Sequence, residues 1–205
     1  MSEPGPRIAL TFDAEHPDRP RCPPDAPDRI LDALADASAR ATFFVQGRWA
    51  QAYPDRARRI ADEGHLVGNH SHYHARMTLL HDDGVRSDVD AAAGHIVTAS
   101  GIDPRPLFRC PFGDGHDDPR VLASLELLGY RNVHWDLELD DWEPWTTGEG
   151  LADAAVAGAL ARGDGAVVLL HTWPASTVDA IPAILDRLAA AKARFVTVDA
   201  LESLP

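Results

Sequence analysis

The sequence predicts an α/β fold in a single domain, a deformed and incompletely closed (β/α)7-type barrel spanning residues 1–205. Three observations predict it. Seven short, apolar, β-favouring runs alternate with longer helical stretches, and parallel strands need helical crossovers. Residues able to do chemistry stand at or just after the C-terminal ends of five of those runs. That is the habit of a barrel rim, whereas an open doubly wound sheet gathers its site at one switch point. Seven units rather than eight leave the ring distorted, so a terminal segment must cover an edge.

The elements follow in order. The apolar run Ile8–Phe12 reads as the first strand, and Pro27–Ser38 as a helix with Ile30, Leu31 and Leu34 on one face. Ala41–Val45 is the second strand, followed by a helix over Pro54–Glu63 with proline at its start and Gly64 at its end. His65–Asn69 and Leu107–Arg109 are the next strands, each followed by a helix, Val85–Ser100 stopping at Gly101 and Pro119–Leu128 stopping at Gly129. Asn132–Asp136, Ala166–Leu170 and Phe195–Val198 complete the strands, and Leu151–Ala161 and Val178–Ala191 the helices.

Bulk properties exclude some functions. The 205 residues are 45% hydrophobic and 25% charged, an ordinary globular composition. A formal net charge of −13 with scattered Lys and Arg argues against nucleic acid or an anionic membrane as partner, since a polyanion would be repelled. Two cysteines, Cys22 and Cys110, do not make a disulfide scaffold. The first residues carry no apolar signal-peptide core and no apolar run reaches membrane-spanning length, so the chain as given reads as cytoplasmic.

The strongest local feature is Asn69-His70-Ser71-His72-Tyr73-His74. On a helical turn, His70 and His74 would project from one face and share a metal ion, with His72 pointing away. A polar, histidine-rich loop is the competing reading. Zinc catalysis needs three protein ligands and an open position, so a carboxylate from elsewhere is expected. Asp13 and Glu15 follow the first strand and share a face if the extended conformation persists, so one could bind metal and the other take a proton. The plain alternative is a turn cap and a solvated acid. Arg109 could hold a carboxylate by paired hydrogen bonds, or lie on the surface. His171 ends a buried-type strand; alone it would be structural, but the other motifs occupy equivalent positions.

Taken together, these residues resemble the polysaccharide deacetylase family, the NodB homology domain of carbohydrate esterase family four. Five ordered motifs have counterparts across nearly the whole chain: Thr11-Phe12-Asp13, His70-Ser71-His72-Tyr73-His74, Arg109-Cys110-Pro111-Phe112-Gly113, the segment from Trp135 to Asp141-Trp142, and Leu169-Leu170-His171. Each is short, and their order and spacing carry the resemblance. It implies a deformed barrel and a metal-dependent hydrolase removing acetyl groups from N-acetylated or O-acetylated sugars. By the same implication His70 and His74 bind a divalent metal, zinc first, with cobalt, nickel or manganese as alternatives. Asp13 is then the general base and Arg109 orients it. The Phe112 backbone N–H helps hold the oxyanion, Asp141 tunes the general acid His171, and Trp142 walls the substrate groove. The family's usual second aspartate is replaced by Ala14, and Glu15, one residue later, stands in as the third metal ligand. Were Glu15 to point away, either Asp13 would become the ligand and the base would be lost, or the site would bind metal poorly.

Two rival functions remain open at this level. One is a different C–N hydrolase on the same scaffold, like the allantoinases that share this domain. The other is a sugar-binding relative that has lost its chemistry. Retention of His70 with His74 speaks against the first, and of Asp13, Arg109 and His171 against the second.

Overall fold

A computed structural model describes residues 5–16 and 22–202. Seven strands form one sheet: β1 (Arg7–Ala14), β2 (Thr42–Val45), β3 (Leu66–Asn69), β4 (Leu107–Phe108), β5 (Arg131–Asn132), β6 (Ala166–His171) and β7 (Arg194–Phe195). Their order is β5-β4-β3-β2-β1-β6, with β7 pairing β1. Helices α1 (Ala26–Asp36), α2 (Gly47–Ala52), α3 (Pro54–Asp62), α4 (Asp82–Ser100), α5 (Pro119–Leu127), α6 (Gly148–Arg162), α7 (Ala175–Ala190) and α8 (Val198–Glu202) supply the connections. The fold is the deformed, incompletely closed (β/α)7-type barrel that the alternation predicts. Leu137, beyond β5, pairs in parallel with Val168 of β6 as an isolated bridge.

The strand boundaries agree best where burial dictates them. The apolar run of β1 extends to Ala14, and every residue from Ile8 onward is buried. The fifth and seventh strands differ from expectation. Strand β5 ends at Asn132, although the Val133 N–H still donates to Phe108 O at 2.7 Å, and farther along the Asp136 and Leu137 N–H groups donate to Val167 O. Val198 is not strand but the start of α8, its N–H donating to Thr42 Oγ1 at 3.1 Å. The short helix α2 was not predicted, since six residues are too few to show periodicity. Helix α4 begins three residues earlier than predicted, with Asp82 and Asp83 in its first turn, where the helix dipole favours acids. It stops at Gly101 in the left-handed conformation, as predicted.

The described chain packs as two compact units, residues 5–12, 22–42 and 135–202 in one, 13–16 and 43–134 in the other. In the first, α7 packs against both α1 and α6. Parallel pairing sets Arg7 opposite Arg194 and Ile8 opposite Phe195, and the buried Thr11 hydroxyl donates to Val168 O at 2.7 Å. In the second, α4 covers α2, α3 and α5, and Asn69 of β3 pairs with Phe108 of β4. Its core gathers Met77, Val85, Val89, Phe108, Cys110, Val121, Leu125 and Tyr130. No helix among the described residues is long and apolar enough to cross a membrane.

Candidate active site

In the unit holding residues 43–134, β1 delivers Asp13 as its penultimate residue, with Glu15 just beyond the strand. Both are buried, and their side chains reach one place, as the alternation of an extended chain predicts. Asp13 Oδ1 accepts a hydrogen bond from Arg109 Nη1 at 2.9 Å, and Oδ2 lies 3.4 Å from His70 Nε2. Glu15 Oε2 lies 3.3 Å from His70 Nε2 and touches His74 Nε2. One ligand atom from each of Glu15, His70 and His74 lies within 4.8 Å of the other two, the one such trio among the described residues. Glu15, rather than Asp13, is the carboxylate of that trio.

The two histidines meet by a route other than the predicted helical turn. Residues 70–74 are an irregular turn after β3, with Ser71 at φ 60° and His74 at φ 58°. Side chains hold the backbone there. Asn69 Oδ1 accepts from Ser71 N at 2.9 Å, Ser71 Oγ accepts from His74 N at 2.9 Å, and the two Asp88 oxygens accept from His72 N and Tyr73 N, both at 3.0 Å. Asn69 is itself pinned, its Nδ2 donating to Val89 O and Tyr130 Oη. The His70 and His74 rings come to 4.9 Å between centroids, while His72 turns away and stacks on His95 at 5.0 Å. Asn69 and Asp88 escaped the sequence reading. The first carried a usable signal, as asparagine at a strand end commonly bonds the backbone two residues on.

The donor set fits a divalent cation. His70 Nδ1 sits 2.9 Å from the Arg109 carbonyl, which fixes that nitrogen as the N–H and leaves Nε2 with its lone pair. His70 Nε2 is buried and has no hydrogen-bond partner. Two imidazoles and a carboxylate are a donor set that a divalent cation can take. Burial pulls the His70 pKa down, but the Asp13 and Glu15 carboxylates outweigh it and the net shift is upward. For His74, burial prevails over Glu15 and the pKa falls.

Arg109 is fully buried against the Phe44 ring, 4.1 Å from its centroid, and its Nε donates to Val133 O. It is no surface arginine. Cys110 lies in the hydrophobic core, where burial, and then Asp114, push its thiol up to about 12. Phe112 adopts φ 59°, ψ 13°, and its ring is 55% exposed, set edge-on to His74 at 4.4 Å with the Arg76 guanidinium 4.5 Å from its centre.

In the other unit His171 ends β6 and forms a dyad with Asp141. One Asp141 oxygen lies 2.7 Å from His171 Nδ1, and the other accepts from His171 N at 2.7 Å and Thr177 Oγ1 at 2.6 Å. The His171 ring is thus oriented through Nδ1. Trp142 stands edge-on to it at 5.1 Å. A cavity of about 380 Å³ opens here, its walls including Trp142, Trp173, Pro174 and Asp141.

Comparison with known proteins shows the family of the chain. The family model described as polysaccharide deacetylase matches residues 1–133. A peptidoglycan-N-acetylglucosamine deacetylase of Bacillus cereus is 30% identical over 95% of this chain and 67% of its own. A chitooligosaccharide deacetylase of Rhizobium leguminosarum is 35% identical over 80% of this chain and 70% of its own. The solved structure of a family 4 carbohydrate esterase from Streptomyces lividans, in complex with acetate, superimposes with a TM-score of 0.80 at 31% identity, covering 94% of this chain and 92% of that one. Across the curated relatives it matches, the chain spans 38% to 70% of their lengths. With the family model covering more than half of its residues, this chain belongs to the polysaccharide deacetylase family.

Proposed function

We propose that residues 1–205 form one catalytic domain, a metal-dependent hydrolase that removes acetyl groups from N-acetylated, or O-acetylated, sugars. The observation that carries this reading is the convergence of Glu15, His70 and His74 beside an Asp13 held by Arg109. The relatives named for peptidoglycan N-acetylglucosamine and chito-oligosaccharides support an acetylated aminosugar as the substrate class. Glu15, His70 and His74 hold the cation, zinc first, with cobalt, nickel or manganese as alternatives.

When bound, the ion supplies Lewis acidity, polarising the acyl carbonyl and lowering the pKa of the attacking water from about 16 towards 7. Asp13 receives that water's proton, and Arg109 keeps the carboxylate in place. The Phe112 N–H donates to the oxyanion as it forms, a contribution worth about 3 kcal/mol. His171, oriented by Asp141, gives a proton to the departing amine, which leaves poorly without it. Trp142 walls the sugar site.

Acetate release from acetylated chito-oligosaccharides by the zinc-loaded protein tests the proposal. Turnover is expected to stop on chelation. Asp13→Asn should abolish turnover with zinc still bound; loss of zinc would make Asp13 a ligand and overturn the division of labour. His171→Ala should lower turnover about 10²–10⁴-fold on the amide and less on an activated ester.

A further inference from the structure

His16 is the residue that the deacetylase reading leaves unused. It follows Glu15 directly, and its backbone sits at φ 50°, in the left-handed region that a β-carbon makes costly. The position is fixed from outside the residue: His16 N donates to Gln46 Oε1 at 2.9 Å, and Gln46, itself buried, caps the N-terminus of α2 with its N–H bonded to Ala14 O. Glycine would take this conformation at no steric cost. The side chain that stands here instead folds back over the metal-ligating group. His16 Nε2 lies 3.1 Å from Glu15 Oε1, and the ring meets His74 edge-on at 4.6 Å between centroids. One oxygen of the Glu15 carboxylate thus lies against His16, at ion-pair distance but without a hydrogen bond from Nε2, while the other faces His70 and His74.

We infer that His16 is a positioning residue for the metal site, locking the Glu15 carboxylate so that Oε2 alone is presented to the cation. The inference rests on the reading of Glu15, His70 and His74 as ligands. Its physical ground is the side chain of glutamate, which has one more rotatable bond than aspartate and so needs a second contact to be held in one direction. Ligating carboxylates are commonly fixed by such outer partners, and removing one lowers metal affinity by about 10–100-fold. Left-handed strain at a non-glycine residue is tolerated where the site uses the side chain.

Zinc affinity of the whole chain, read by competition with a chromophoric chelator, tests this together with the melting temperature of the metal-free protein. His16→Gly relieves the backbone strain, so the metal-free protein should melt no lower than the parent while zinc affinity falls about 10–100-fold. His16→Gln keeps a polar side chain of similar reach and should recover part of that affinity. Unchanged zinc affinity in His16→Gly, or a parallel loss of melting temperature and affinity with no recovery in His16→Gln, would overturn the positioning role. Failure of the underlying reading looks different: the parent itself, and Glu15→Ala with it, would then bind zinc equally weakly.

Discussion

Asp13 and Asp141 are both buried, at 4% and 2% exposure, and each stands against a histidine, yet they are stabilised in opposite ways. Asp13 faces the fully buried guanidinium of Arg109, charge against charge, with one hydrogen bond at 2.9 Å. Asp141 is held by a backbone N–H, an imidazole nitrogen and the Thr177 hydroxyl, so its charge is spread over several donors. The first arrangement is all-or-nothing, because removing either partner strands a charge away from water. The second is graded, because each donor can be lost separately.

Arg109→Met is the severest test of that contrast. It should destabilise the fold by about 3–5 kcal/mol in urea denaturation, and adding Asp13→Asn should recover part of the loss by removing the stranded charge. If the double variant is as unstable as the two single losses summed, the charge-pair account of Asp13 fails. Thr177→Val removes one donor of several and should cost about 1–3 kcal/mol, with zinc affinity unaffected. A loss as large as that of Arg109→Met would erase the distinction. The exposed pair of Arg7 and Asp164 supplies the lower bound. The hydrogen bond from Arg7 lowers the Asp164 carboxyl from 3.8 to about 2. Its contribution is therefore complete above pH 3.8 and lost as the pH falls through 2. Melting curves of the parent and Asp164→Asn should differ by a small, constant gap above that window and converge below it. A gap that persists at the acid end would assign the effect to something other than this ion pair.

The parts legible in the sequence were those set by short-range chemistry. The apolar run into Asp13 announced β1, and period-two alternation put Asp13 and Glu15 on the same histidine, His70. Spacing brought His70 to His74 for the wrong reason: the expected helical turn is an irregular one with two left-handed residues, Ser71 and His74, neither of which is a glycine that would have signalled it. The Asp88 cap, far along the chain on α4, left no local trace. Nor did Thr177, whose hydroxyl meets Asp141 only because α7 follows β6 closely in the fold. The two-residue strand β5 was placed too far along because Val133 and Trp135 look like strand residues, although the strand ends at Asn132 with one further bond from the Val133 N–H to Phe108 O.

The burial of Cys110 has a practical corollary. With burial pushing its thiol up to about 12, the reactive thiolate is scarce at neutral pH. Peroxides and disulfides attack that form alone, so the sulfur two residues from Phe112 is chemically silent. The turn it supports needs no reductant to stay intact, and handling the protein in air should leave that position unmodified.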